Sequence, residues 1–333
     1  MDPLSLVELA RTLVDIDSTT GAEGDCGRWL AAYLRARGWR VEEQPVTDTR
    51  CNVLATLDAP RVAFSTHFDC VPPFFPSRIE GTRVYGRGSC DAKGILAAQV
   101  TAAERLRREG ITDVGLLFVV GEERGSDGAR AANTIPNACR YLVNGEPTDT
   151  RLGAATRGTF RVRLAAAGRA AHSSYPELGE SAIDKLVDAI VRLRAAVLPE
   201  HPLLGRTHYT VGLISGGVAP NVVPPHAEAE VMFRTVGPSP ALRPALDALG
   251  DLVSWTMILD VPAVELIVVD GFDTAVFPFT TDIPFLGRWG KPLLLGPGSI
   301  RVAHTDHEHV EIAELERAVD QYTVLGKTLD RTA

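Results

Sequence analysis

Apolar and polar positions follow two rhythms along this chain, and the change between them falls near residue 155. Before it, short runs are apolar at nearly every position: NVLATL (52–57), RVAFST (61–66), VGLLFVV (114–120) and RYLVN (140–144). Such runs read as strands buried on both faces. Helical stretches separate them: one near 3–14 with Pro3 in its first turn, one near 25–37 closed by Gly38, and KGILAAQVTAAERLRR (93–108), with alanine and leucine at helical spacing. WRVEEQPV, after the second helix, reads as a further strand. Apolar strands divided by helices predict a mostly parallel or mixed sheet with helices on both faces.

Beyond residue 155 the strands alternate. TFRVRLAA (159–166) and HAEAEVMFR (226–234) switch between apolar and polar at each step, as strands with one wet face do. With helices over SAIDKLVDAIVRLRAAV (181–197) and PALRPALDAL (240–249), and strands over THYTVGLI (207–214) and VELIVV (264–269), the order becomes β-α-β-β-α-β. That is the split arrangement of a ferredoxin-like α+β domain. The first rhythm returns with PLLLGPG (292–298) and a final helix over 312–329. The pattern predicts an α/β domain over 1–155 and 271–333, interrupted by an inserted domain over 156–270.

Composition narrows the partners. The 333 residues are 45% hydrophobic and 23% charged, as in globular proteins, and 42 acidic against 34 basic residues give a net charge of -8. No basic stretch suits a nucleic-acid groove. No apolar run approaches the roughly 20 residues that span a bilayer, so no membrane partner is expected. Five cysteines without CxxC spacing argue against a disulfide framework, and MDPLSLVELARTLVD lacks the basic start and apolar block of a signal peptide. A cytoplasmic location is expected.

The strand ends carry the chemistry. RVAFST runs into His67 and Asp69, VGLLFVVG into Glu122 and Glu123, and RYLVNG into Glu146. The turn YGRGSCDAKG sets Asp91 just before a helix, and GPGSIRVAH delivers His304 after the last strand. Ligands of open α/β sheets bind beyond the carboxyl ends of the strands, so two histidines and up to five carboxylates converge there. That many acids need cations to neutralise them, and imidazole with carboxylate suits zinc. The reading is a two-metal hydrolytic centre. Each element alone is weak: an isolated HxD is more often two half-exposed polar residues, and His307 and His309 in HTDHEH stand either as rival ligands or as surface residues.

At this point the sequence resembles the co-catalytic zinc amidohydrolases and exopeptidases that include acetylornithine deacetylase, succinyl-diaminopimelate desuccinylase, aminoacylase and carboxypeptidase G. The segments that carry the resemblance are STHFDCVPP, YGRGSCDAKG, VVGEERGSDGA, NGEP, GRAAHSSYPELGESAI, GGVAPNVVPPHAEAEVMFR and GPGSIRVAHTDHEHV. The resemblance implies two Zn²⁺ ions, with Co²⁺ or Mn²⁺ able to substitute at such ligands. Asp91 would bridge them, His67 and Glu146 would complete one site, and Glu123 and His304 the other. Asp69 would hold the His67 ring, and the Asp91–Ala92 peptide would be cis. Glu122 would act as general base. In the inserted domain, His172 would stabilise the oxyanion in a partner subunit's site, implying a homodimer, and Asn221 and Arg234 would bind substrate. Ser299 and Thr281 fall where the family places further substrate contacts, although FPF replaces its usual glycine-rich lead-in before Thr281. Cys70 and Cys90, beside the ligands, read as packing residues.

The leading expectation is hydrolysis of an N-acyl amino acid in the manner of acetylornithine deacetylase, with a metallo-exopeptidase (dipeptidase or carboxypeptidase) as the alternative. A silent scaffold would be expected to have lost Glu122 or a ligand, and all are present. A dinucleotide-binding protein would need GxGxxG directly after a strand, which GRGSCDAKG does not supply.

Overall fold

Alternate side chains of the central strands bury in two different cores in the structure, a computed structural model that describes residues 4–331. Val62, Phe64, Leu116, Phe118 and Val143 join a large cluster with the helices Leu6–Val14, Gly24–Ala36, Lys93–Arg108 and Ile312–Arg331. Ala63, Leu117, Val119 and Leu142 face a smaller one with Ala129, Ala132 and Trp289. Successive residues of a strand point to opposite faces, so a strand covered on both sides must be apolar throughout. This is why these runs show no polar alternation.

Six strands pair in the order Arg40–Pro45, Cys51–Thr56, Val114–Val119, Val62–His67, Tyr141–Asn144 and Lys291–Leu294. Both pairings of Cys51–Thr56 are antiparallel and the other three are parallel, so the sheet is mixed. The four strands joined in parallel send their carboxyl ends to one edge. Three short strands, Arg78–Glu80, Arg83–Tyr85 and His309–Glu311, form a separate small sheet that the apolar pattern did not indicate.

The chain folds as two compact units. One runs to Ala154 and adds Leu266–Ala275 and the chain from Thr281; the other comprises Ala155–Glu265 and Val276–Thr280. The second unit carries an antiparallel sheet in the order His208–Gly216, His226–Thr235, Gly158–Ala167, Ser254–Val261. The helix Ala182–Ala195 follows its first strand in the chain, and Arg243–Asp247 its third. The last strand lies beside the first and the first beside the third, which is the ferredoxin-like arrangement.

Two expectations for this unit shift. The fourth strand is Ser254–Val261, not 264–269, where only Val264–Glu265 pairs. An irregularity between Met257 and Leu259 breaks its alternation, whereas Ile267 and Val269 are apolar because they pack on the large core of the first unit. The helix expected over 240–249 is a 3-10 turn, Ser239–Leu242, followed by Arg243–Asp247; Pro240 and Pro244 cannot donate the N–H bonds of a longer one. Of the first helix, Leu6–Val14 is capped by the Ser5–Glu8 capping box, and Pro3 lies outside the described residues. Among the described residues no helix is long and apolar enough to cross a membrane.

Candidate metal centre

His67 is the last residue of its strand and is buried. Its Nδ1–H donates to the Asp69 backbone carbonyl at 3.0 Å, with Asp69 Oδ1 at 3.3 Å, which leaves Nε2 to face Asp91 Oδ1 at 3.0 Å. Asp69 lies past the strand end, and its carboxylate does more than steady the ring. Oδ1 accepts the Glu122 N–H (3.0 Å), while Oδ2 accepts the Glu123 N–H (3.2 Å) and the Thr20 hydroxyl (2.9 Å). One carboxylate thus ties the histidine to the turn that carries the two glutamates.

That turn is the 3-10 segment Glu122–Arg124, entered through Gly121 at φ 75°. A Cβ on Gly121 would fall 1.9 Å from Asp127 Oδ1, so both the left-handed backbone and the close approach require glycine. Asp127 in turn pairs with Arg50 at 2.5 Å. Asp91 leads into the helix Lys93–Arg108 across a cis peptide to Ala92. His304 has φ 64° and places Nε2 2.9 Å from Glu123 Oε1 and 3.3 Å from Asp91 Oδ2.

Two groups of possible ligands result, His67–Asp91–Glu146 and Asp91–Glu123–His304, each with its ligand atoms within 4.8 Å of one another and sharing Asp91. The electrostatics fit cations there. Burial, then the charge of Glu146, pushes the Glu122 carboxyl well above its ordinary value. Burial raises Glu146 as well. Burial works against a charged His67, yet its contacts with Asp69 and Asp91 hold it well above the usual imidazole value. Hydrogen bonds to the Asp91 and Glu123 carboxylates push His304 up to about 10. Burial opposes ionisation of Asp91, but the two histidines outweigh it and keep its carboxyl low. Glu146 Oε1 is buried with no hydrogen-bond partner, a costly state for a carboxylate unless a cation takes it. The donor set is nitrogen and oxygen only, suited to catalytic zinc and its first-row neighbours.

The other expected site residues of the first unit are engaged in local contacts. Ser299 is half-buried, and its carbonyl accepts the Cys90 thiol at 3.4 Å. Thr281 is buried, and its hydroxyl accepts the Ile283 N–H at 3.2 Å. Cys70 and Cys90 are buried, and burial pushes both thiols up, Cys70 to about 12, so they pack as unreactive groups. His307 is exposed and contacts Asp306, and neither it nor His309 joins a ligand group.

In the second unit, His172 and Asn221 are exposed and lie together. His172 forms a bridge to Val222, and the Ser173 N–H donates to the Asn221 carbonyl. Arg234 sits near the far end of the strand His226–Thr235, donating to Thr159 Oγ1 at 2.7 Å. The stretch from His226 to Arg234 alone spans about 27 Å at ~3.4 Å per residue. Two buried acids of the first unit escaped the sequence reading. Asp282, beside Thr281, is buried, and burial pushes its carboxyl up to about 7 against the opposing pull of Ser126. Glu308 lies buried four residues after His304. The only available signal was their closeness in sequence to named residues.

Known proteins match this chain along most of its length. The sequence profile of Peptidase family M20/M25/M40 matches residues 63–327. A peptidase M20 domain-containing protein of Schizosaccharomyces pombe is 38% identical, over 96% of this chain and 83% of its own. A probable carboxypeptidase of Aspergillus terreus is 37% identical, over 95% of this chain and 84% of its own. Among solved structures, a tripeptidase from Staphylococcus aureus superposes with a TM-score of 0.82 at 20% identity, covering 98% of both chains.

Proposed function

This chain belongs to peptidase family M20/M25/M40 and is a metal-dependent hydrolase, and on that footing we propose that it is a metallo-exopeptidase releasing amino acids from the carboxyl end of short peptides. The observation that carries the hydrolytic reading is the pair of ligand groups hinged on Asp91, with Glu122 beside them and outside both. The direction of cleavage is supported by the name of the Aspergillus terreus relative, which favours the exopeptidase alternative over the deacylase first drawn from the sequence.

His67, Asp91 and Glu146 would hold one cation, and Asp91, Glu123 and His304 the other, zinc being the metal the donors suit best. When bound, such a pair supplies Lewis-acid polarisation of the scissile carbonyl and lowers the pKa of water. Glu122 takes the proton from the attacking water on a carboxylate oxygen and returns it to the departing amine nitrogen. Asp69 keeps Glu122 in place through the backbone N–H of that residue, and keeps His67 in the tautomer with Nε2 free.

Recognition would come from the inserted unit. Arg234, with no acidic partner among the described residues, is suited to grip a terminal carboxylate, and His172 and Asn221 are suited to the carbonyl undergoing attack. A dipeptide spans about 7 Å. One chain therefore does not bring Arg234 and the His172–Asn221 pair to the same small peptide, which supports a homodimer in which each site draws on both copies. Val187 and Val191 on the helix and Leu213 and Ile214 on the edge strand His208–Gly216 are exposed, offering an apolar face for that contact.

The test is a panel on zinc-loaded protein: N-blocked dipeptides with free or amidated carboxyl ends, unblocked dipeptides, and N-acetyl amino acids including N-acetylornithine. N-blocked peptides with a free carboxylate should be cut, and amidation, which removes the charge Arg234 would hold, should lower kcat/KM roughly 10- to 100-fold. Turnover confined to N-acetyl amino acids would replace this reading with the deacylase.

A further inference from the structure

Glu308 is completely buried, yet it belongs to neither ligand group. Its Oε1 accepts three backbone N–H bonds from one short loop, from Gly88 at 2.9 Å, Cys90 at 3.1 Å and Asp91 at 3.1 Å. Its Oε2 takes Arg87 Nη1 at 2.5 Å, and its own carbonyl accepts the Gly86 N–H at 3.1 Å. Every polar bond named here runs from the segment 86–91 to this one residue.

The loop is shaped for that convergence. Gly86 and Gly88 have φ of 146° and 86°, and a Cβ on Gly88 would lie 2.6 Å from Cys70 Sγ, so the backbone is free to turn its amides toward one point. Successive N–H groups aimed at one anion form a nest, and bonds to an ionised oxygen are about twice as strong as neutral ones. Arg87 balances the charge where both side chains are buried from solvent. The last amide in the nest belongs to Asp91 itself, and the anion stands four residues beyond His304 in the chain. Two of the three segments that supply the second ligand group, those of Asp91 and His304, are thereby locked together by one side chain.

We propose that Glu308 is the positioning residue for Asp91, and through it for both cation sites, by gathering the amides of Gly88, Cys90 and Asp91 around its carboxylate. This rests on the two-metal reading given above. Glu308→Gln keeps the size but loses the charge and turns an NH₂ toward donors that need an acceptor.

Metal-free protein is titrated with Co²⁺ and followed by its visible absorption, with amide exchange read at Gly88, Cys90 and Asp91. In Glu308→Gln both binding steps should weaken about 10- to 100-fold, the usual effect of losing a partner behind a ligand, with an altered cobalt spectrum and faster exchange at the three amides. Glu146→Gln, touching one ligand group, should weaken one step only. Wild-type protein that takes up no cobalt overturns the metal-centre reading. Wild-type binding with an unchanged Glu308→Gln titration overturns this inference alone. If Glu308→Gln does not fold, Glu308→Asp is measured, which keeps the charge but is too short to reach all three amides. Loss of the fold in both, or normal cobalt binding in Glu308→Asp, would assign Glu308 to the scaffold and overturn the positioning role.

Discussion

The two units place their charged groups in opposite ways. In the first, His67, Asp69, Asp91, Glu146 and Glu308 are all buried, and the ionisation of most of them departs well from the ordinary. In the second, charged residues such as Arg163, Glu228, Arg192 and Asp251 lie on the surface, while large apolar side chains are also exposed: Leu213 at 65% and Ile214 at 61%. Burial makes charge expensive, so a unit that keeps buried acids must have something for them to hold. A unit that leaves leucine and isoleucine exposed offers surface for the contact proposed above. On the proposed function, chemistry falls to the first and recognition and association to the second.

The sharpest way to break that assignment is to remove the metal. Chelation should reduce peptide cleavage to background and leave the helix and strand signals of circular dichroism intact, with activity restored by zinc. Activity that survives complete removal, checked by elemental analysis, would take the chemistry out of the first unit. Next in size is Glu122→Gln. Loss of a general base typically lowers kcat about 10²–10⁴-fold, while two equivalents of metal should still bind, because Glu122 belongs to neither ligand group. If metal content fell with kcat, Glu122 would be a ligand.

How much of this contrast the sequence shows depends on burial. The parallel strands were legible because both faces are covered, so Val62, Ala63 and Phe64 are apolar in succession before Ser65, Thr66 and His67 end the run. The alternation of 226–234 gave the open-faced strand for the same reason in reverse. The fourth strand of the inserted unit was misplaced because alternation measures which side is buried, and Leu266–Ala275 belongs to the first unit. Of the candidate ligands, His67 and Glu146 were legible at strand ends, and Asp91, Glu123 and His304 in the turns and loops that follow strands. Glu308 and Asp282 were not: a buried acid and a surface acid are the same letter, and only the fold brings the amides of Gly88, Cys90 and Asp91 to Glu308.

A third, smaller effect probes recognition. Arg234→Met removes a charge-assisted contact worth about 1.5–3 kcal/mol, so kcat/KM should fall roughly 10- to 100-fold. The loss should appear for substrates with a free carboxylate and vanish for amides, with metal binding unchanged. An equal loss for both classes would make Arg234 a structural residue, holding Thr159 across the sheet.

The smallest expected effect separates geometry from environment. Arg192 and Asp251 in the second unit approach to 2.5 Å, the same separation as Arg87 and Glu308 in the first. Distance alone would rank the two pairs equally. The side chains of Arg192 and Asp251 remain 44% and 65% exposed, whereas those of Arg87 and Glu308 are 3% and 0% exposed. Water screens the first pair, and holding two flexible side chains together costs entropy, so exposed pairs of this kind often contribute nothing measurable. In the buried pair, removing one partner strands the other charge away from solvent. Asp251→Ala, which removes the pair but leaves Arg192 its bond to the Ala248 carbonyl, should therefore leave the melting temperature and cleavage rate unchanged within error, including in high salt. A clear drop in melting temperature would mean that the surface of the inserted unit is covered in solution, and its charges would then have to be read as part of an interface.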